Sequence, residues 1–165
     1  MRAWMLAGAP CPDTQLQPTA ENLPAVDAAA LCLVNQVRIA HGLPALADNP
    51  ALALAAQNHD DDMVASDYFD HVGPAGDTPR SRVQASGYIG AAQPSWVVGE
   101  NIAWGTLTLA TPAAIVTGWV NSPEHLANIL DPAFRDTALR ADAAAPASLS
   151  MGEAGAVYTE DFGAR

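Results

Sequence analysis

The chain has 165 residues, half of them hydrophobic, which suits a single domain with its own core. Eighteen acidic residues against seven basic ones give a formal charge of −11. This balance argues against nucleic acid and against docking on an anionic membrane, because both partners require clustered lysine and arginine. No stretch approaches the ~20 apolar residues that cross a bilayer, so we expect no transmembrane segment.

The first part of the chain reads as an N-terminal arm over residues 1–26, followed by one domain over residues 27–165. Residues 1–9 hold one arginine and a short apolar run, which is compatible either with the remnant of a signal peptide or with a frayed terminus. Cys11 and Cys32 are the only cysteines. We expect them to form one disulfide that tethers the arm in an oxidising compartment. Two unpaired thiols in a cytosolic protein are the alternative.

The helices are predicted from apolar periodicity and from their start signals. Four prolines in the arm, the last of them Pro24, block helix formation there, and a helix is expected over residues 27–41. Four later helices should begin where a capping residue precedes proline. These signatures are Asn49-Pro50, Thr78-Pro79, Thr111-Pro112 and Ser122-Pro123.

Three segments are predicted as strands: residues 96–105, 137–145 and 154–162. The first is compact, apolar and partly β-branched, and the last alternates between two faces. Because the helices are consecutive and the strands few and late, we predict an α+β fold in which helices cover a small, mainly antiparallel sheet.

Two of the four histidines are candidates for a functional site. His71 and His125 lie at the ends of elements beside glycine or proline, where functional groups tend to be displayed. Glu100 lies inside an apolar strand, so its charge requires a partner. Two histidines and a glutamate could bind zinc. By contrast, His41 and His59 are expected to be structural. The Asp60-Asp61-Asp62 run lacks the spacing of a calcium loop and is interpreted as a solvated helix face.

Several segments resemble, in order, the landmarks of the CAP superfamily, which includes cysteine-rich secretory proteins, insect antigen 5 and plant pathogenesis-related proteins. The resemblance covers roughly residues 27–163. It is carried by residues 31–38 (LCLVNQVR) with 41–46 (HGLPAL), by 68–71 (YFDH), by 99–105 (GENIAWG), by 118–130 (GWVNSPEHLANIL) and by 158–163 (YTEDFG). The closing segment resembles the last strand of bacterial SCP-like members.

This resemblance implies a three-layer α-β-α sandwich with a central cleft. His71, His125 and Glu100 match three residues of the family's two-histidine, two-carboxylate signature, which binds a divalent cation such as zinc in several members. The position of the second carboxylate is Ser122 in this chain. Glu124 is nearby, adjacent to His125. The family also implies a secreted protein with a lipid, sterol or protein partner.

The sequence favours a non-enzymatic binding module, with a cation-assisted protease or esterase-like hydrolase as the alternative and a purely structural His/Glu cluster as a third. It contains neither a Gly-x-Ser-x-Gly elbow nor a His-Glu-x-x-His helix. Ser122 and His125 suggest serine–histidine chemistry, but a helix-capping role for Ser122 before Pro123 is the simpler prediction.

Overall fold

The computed structural model describes residues 9–165, which form six α-helices and four β-strands. The helices are α1 Leu23–Ala40, α2 Pro50–Ala65, α3 Pro79–Ala85, α4 Pro112–Val120, α5 Pro123–Ile129 and α6 Ala147–Ser150, and a 3₁₀ turn spans Leu107–Ala110. The strands are β1 Ala47–Asp48, β2 Val97–Thr106, β3 Asp136–Asp142 and β4 Gly155–Ala164. Every predicted strand is present within a few residues of its expected range, whereas β1, α6 and the 3₁₀ turn are too short to leave a periodic signal.

Helix starts follow the proline signatures closely. The Asn49 side chain accepts hydrogen bonds from the amides of Ala51 and Leu52, and Thr111 accepts one from Ala114. Thr78 forms a reciprocal capping box with Ser81. The prediction for Pro24 was wrong: α1 already begins at Leu23, because proline is tolerated in the first turn, where its missing amide has no helical partner.

The sheet has the strand order β1-β3-β4-β2. β4 pairs antiparallel with both β2 and β3, while the short β1 pairs parallel with β3. The predicted α+β class with a mainly antiparallel sheet is therefore confirmed. β4 is buried along almost its whole length, and β2 is an edge strand. That edge position leaves one side of β2 free to form a groove with neighbouring helices.

Helices lie on both faces of the sheet, and the alternation of the strands divides the core between them. On one face, Leu139, Tyr158 and Phe162 pack with residues of α1, α4 and α5, including Val34 and Trp119. On the other face, Ala138 packs against α2 and α3, and Ile102 and Val157 pack around Met63 of α2.

The described part of the arm is fastened to the domain. The predicted disulfide between Cys11 and Cys32 is confirmed, with the two Cα atoms 5.8 Å apart. The Thr14 carbonyl also accepts a hydrogen bond from the Ala113 amide at the start of α4. The signal-remnant prediction falls on residues 1–9, of which 1–8 lie outside the described residues.

Helix α1 is long and apolar enough to cross a membrane by length and composition alone, a test that core helices also pass. Val26, Ala30 and Val34 on this helix are buried in the domain core. One face of α1 therefore packs against the domain core.

Candidate functional site

The Glu100 carboxylate is the centre of the candidate site. It lies on β2, on the sheet face covered by α2 and α3, and only 1% of its side chain is exposed. His71 Nδ1 donates to Oε1 at 2.7 Å, and Arg82 Nη2 donates to Oε2 at 2.8 Å. Both oxygens therefore have charge-assisted partners, which is what a buried carboxylate requires.

Arg82, on α3, joins Glu100 to the loop that carries His71. Its guanidinium also donates to Asp77 Oδ2 at 2.7 Å and to the carbonyl of His71 at 2.9 Å. Arg82 was not among the site residues predicted from the sequence. The sequence contained a hint of this contact, because a buried glutamate needs a cationic partner and α3 contains two arginines.

The contact between Glu100 and His71 shifts the pKa values of these two residues in opposite directions. Burial raises the pKa of Glu100, but the hydrogen bond from His71 and the charge of Arg82 outweigh it, so the net pKa is lowered. The same hydrogen bond raises the pKa of His71 above its ordinary value. About half of the His71 side chain is exposed, so its ring faces solvent beside the buried carboxylate.

His59, on α2, lies beside the Glu100 carboxylate, and Asp60 follows it on the same helix. His59 is buried as predicted, and its Nε2 lies 3.8 Å from Glu100 Oε1, while its Nδ1 lies 3.3 Å from the Tyr68 hydroxyl. Burial lowers the pKa of His59. The interpretation of Asp60 as a solvated residue was wrong: it is fully buried and accepts a 2.6 Å hydrogen bond from Thr159, because it lies one position from His59 on the covered face of α2.

Ser122 and His125 form a second polar pair at the N-terminus of α5. His125 Nδ1 and Ser122 Oγ share a 2.8 Å hydrogen bond. Ser122 occupies the N-cap position, yet its side chain caps none of the described α5 amides, so the predicted capping role was wrong. The hydroxyl turns to the imidazole instead. Glu124 is exposed in the first turn of α5.

The backbone of His125 is tied to β2 through two asparagines that the sequence analysis had not placed. Asn101 Nδ2 donates to the carbonyl of His125 at 3.1 Å. Asn128 Nδ2 donates to Asn101 Oδ1 at 2.9 Å and lies 3.2 Å from the carbonyl of Glu100. Burial, and then the charge of His71, lower the pKa of His125.

The sequence predicts that His71, Glu100 and His125 bind a metal ion, and the structure shows which of their atoms already have partners. The described residues contain no group of three or more His, Cys, Asp or Glu side chains placed to hold a metal ion. Both oxygens of Glu100 accept hydrogen bonds, and both histidines use Nδ1 within the protein. These hydrogen bonds leave Nε2 of each histidine as the ring atom available to a cation, and Glu100 is the carboxylate that orients His71.

An apolar groove of about 410 Å³ begins at the Ser122–His125 pair and runs along β2 and α4. Trp119 closes its floor and donates from Nε1 to the carbonyl of Ile102 at 3.1 Å. Trp104 and Leu109 stand on the rim, with Leu109 67% exposed. The remaining apolar lining consists of Phe69, Ile102, Ala103, Ala114, Ile115 and Gly118.

The family model described as CAP, the cysteine-rich secretory protein family, matches residues 31–139. The YkwD protein of Bacillus subtilis strain 168 is 30% identical over 130 residues, which is 79% of this chain and 44% of YkwD. The membrane protein YlbC of the same strain is 35% identical over 101 residues, 61% of this chain and 27% of YlbC. The chain therefore spans less than half the length of these two relatives.

Solved structures agree with this match. An extracellular SCP-domain protein from Bacillus anthracis superposes with a TM-score of 0.64 at 27% identity, over 94% of this chain and 44% of that one. An outer surface protein from Borrelia burgdorferi gives 0.65 at 17% identity, over 82% and 89% of the two chains, which shows a shared fold alone. The family match, the fold and the ordered landmarks lead to one conclusion: the chain belongs to the cysteine-rich secretory protein (CAP) family and is a bacterial SCP-type domain.

Proposed function

We propose that this domain is a secreted binding module that holds an amphipathic small molecule in the groove beside His125. The observation that carries the proposal is the composition of that groove. Its walls are almost entirely apolar, and Ser122 and His125 supply hydrogen-bonding groups at one end. Ligand sites of this kind combine apolar walls with a few polar groups that fix orientation, and they span ~300–1,000 Å³.

The polar end favours a ligand whose head accepts hydrogen bonds or carries negative charge. Ser122 Oγ and the His125 ring supply the hydrogen-bonding groups at this end of the groove. An acyl chain lying on Trp104, Leu109 and Ile115 would place a carboxylate or ester head at this end. The occupant we propose is therefore a medium-chain fatty acid or its ester.

Two other depressions fit such a ligand less well. A groove of about 330 Å³ between α1 and α4 is lined by Leu33, Val37 and Val116, and its described lining includes no titratable side chain to receive a head group. A depression of about 520 Å³ beside α1 contains Asp27, Asp48 and Arg140, whose charges already face one another.

Binding can be tested with a fluorescent fatty acid, dansyl-undecanoic acid, titrated into the wild type and two matched leucine variants. Leu109→Asn changes the rim of the groove, whereas Leu54→Asn changes another exposed leucine, on α2. We expect Leu109→Asn to weaken binding about tenfold, since it removes one apolar wall, and Leu54→Asn to leave it unchanged. Equal binding by all three proteins, or none by the wild type, would contradict the proposal and direct attention to a protein partner.

A divalent cation at the same cleft is a second candidate, favoured by the hydrogen bond from His71 Nδ1 to Glu100. A carboxylate in this position is the usual orienting partner of a metal-bound histidine. The Nε2 atoms of His71 and His125 would hold the ion. Bound zinc would supply a Lewis acid, as the hydrolase alternative requires.

Calorimetric titration of zinc into the wild type, His71→Ala and His41→Ala tests this second candidate. His41 lies at the end of α1 and serves as the matched control. Loss of heat in His71→Ala alone is the expected result. Equal heats in all three proteins would remove the cleft as the cation site.

Secretion is supported by the described Cys11–Cys32 disulfide and by the extracellular description of the Bacillus anthracis neighbour. Fractionation of cells that produce the native gene product tests this part of the proposal. We expect the protein outside the cytoplasm with both cysteines inaccessible to a thiol reagent. A cytoplasmic protein with two reactive thiols would contradict it.

A further inference from the structure

We propose that Ser122 and His125 form a nucleophile–base pair that hydrolyses carboxylic esters of acyl chains bound in the groove. This inference rests on the proposed function, since the groove must hold the acyl chain. It adds a reaction, a nucleophile and a substrate class to a site that was argued above as a binding site only.

The first observation is the direction of the Ser122 hydroxyl. Three other helices that follow a Thr-Pro or Asn-Pro signature are capped by the side chain of the preceding residue. At α5 the serine occupies the same position, but its Oγ lies 2.8 Å from His125 Nδ1 and caps none of the described α5 amides. A serine within hydrogen-bond reach of an imidazole is the arrangement that activates a hydroxyl as nucleophile.

The second observation is that the backbone of His125 is fixed to the sheet by a residue of β2. Its carbonyl accepts a hydrogen bond from Asn101 of β2, and Asn101 is in turn held by Asn128. Asn101 is fully buried, so this bond fixes the start of α5 against the sheet. A general base needs such fixed geometry, because proton transfer depends on a maintained hydrogen bond to the nucleophile.

The third observation is that both side chains line the apolar groove. An acyl chain lying along Trp104 and Ile115 would bring its carbonyl carbon to the end where Ser122 lies. A small alcohol could then leave towards solvent. The substrate class is therefore an ester between an apolar acid and a small alcohol, with selectivity for chain length set by the groove.

The reaction balances with these groups and water alone. Ser122 Oγ bonds to the carbonyl carbon while its proton passes to His125 Nδ1, and the ester C–O bond then breaks as that proton passes to the leaving alcohol. This step leaves an acyl group on Ser122. A water molecule next attacks the acyl carbon and gives a proton to His125, which returns it to Ser122 Oγ as the carboxylic acid leaves.

The test uses the full chain with an octyl fluorophosphonate and with 4-nitrophenyl octanoate. We expect a phosphonyl adduct that peptide mapping places on Ser122, together with release of nitrophenol. Ser122→Ala should remove the adduct and lower the release about 100-fold or more, and His125→Gln should lower it by a similar factor. Ser95→Ala, which changes an exposed serine outside the groove, should react as the wild type does.

Absence of the adduct from Ser122, or release by Ser122→Ala as fast as by the wild type, would overturn the inference. Dansyl-undecanoic acid binding by the wild type and by Ser122→Ala separates the two levels of the account. Retained binding without an adduct contradicts the reaction alone. Failure of the wild type to bind dansyl-undecanoic acid contradicts the proposed function as well.

Discussion

At the scale of single residues, the site depends on one buried charge. Glu100 could not remain ionised on a covered sheet face without Arg82 and His71, and these two contacts bring α3 and the loop after α2 to the same point. His71 is therefore held by its hydrogen bond to a carboxylate that lies on a rigid strand. The exposed part of its ring keeps the position that this carboxylate imposes.

Removal of Arg82 tests this dependence. In Arg82→Met the methionine fills similar space, but Glu100 and Asp77 lose their cation, so we expect the free energy of unfolding to fall by about 3–5 kcal/mol. Arg80→Met is the matched control, since Arg80 only stacks on the Trp96 ring at 4.6 Å and should cost less than about 1 kcal/mol. Urea denaturation measures both. Equal losses would show that Glu100 does not need its ion pair.

The two cleft histidines should titrate apart. The hydrogen bond to Glu100 raises the pKa of His71, whereas burial and the charge of His71 lower that of His125. Nuclear magnetic resonance of the imidazole protons should therefore show His125 losing its proton at lower pH than His71 does. Glu100→Gln should bring the two transitions closer. The reverse order in the wild type would contradict the geometry of the site.

The sequence identified part of this site, and the limits are physical. His71, Glu100 and His125 stand out as residue types that need partners at positions next to glycine, proline or apolar runs. Arg82 and Asn128 do not, because each is an ordinary polar residue of a short helix until the fold places it beside β2. Ser122 was misassigned because its N-cap position is visible in the sequence, while the direction of its hydroxyl is not.

At the scale of elements, proline after a capping residue located the helices α2, α3, α4 and α5 to within a residue or two. The same rule does not say whether the cap is made. Thr111 accepts the hydrogen bond from Ala114, and Ser122 bonds to His125 instead. Helix positions were therefore predictable from local signals, whereas the partner of each capping side chain depended on tertiary contacts.

Two alanine substitutions separate these roles. Thr111→Ala removes a cap from α4 and should lower the free energy of unfolding by about 1 kcal/mol. Ser122→Ala removes no cap hydrogen bond from the described α5 amides and loses only the part-buried bond to His125, so we expect a smaller loss than in Thr111→Ala. Thermal and urea unfolding of both variants provide the measurement. A loss in Ser122→Ala larger than that in Thr111→Ala would contradict this prediction.

At the scale of the whole molecule, the strand β4 and the helix α2 place acidic side chains in the core. Glu160 and Asp161 of β4 and Asp60 of α2 are all fully buried. Burial raises the pKa of Glu160 to about 8 and those of Asp60 and Asp161 well above their ordinary value. The folded protein therefore retains protons that the unfolded chain has already released.

The sign of the pH dependence follows from this difference. Stabilisation by an acid with a raised pKa is fully present below its ordinary pKa, 4.5 for glutamate, and is lost as pH rises through the folded value of about 8 for Glu160. We expect urea to unfold the protein more easily at pH 8 than at pH 5. Glu160→Gln, which keeps the shape without the charge, should flatten this slope. A wild type that gains stability between these two pH values would contradict the prediction.

The parts of the candidate site all contact one edge strand, β2. β2 carries Glu100 towards α2 and α3, holds His125 through Asn101, and forms the groove with α4. We expect this groove to receive an acyl chain with its head at Ser122 and His125. The position of a bound ligand in the groove tests this claim for the site as a whole.

A crystal structure of the protein with dodecanoate is the most direct measurement. We predict density for the chain along Trp104 and Ile115, with a carboxylate oxygen within hydrogen-bond distance of Ser122 Oγ or of a His125 ring nitrogen. Density for the ligand between α1 and α4, beside Leu33 and Val116, or an empty groove at a ligand concentration that saturates binding in solution, would contradict the claim.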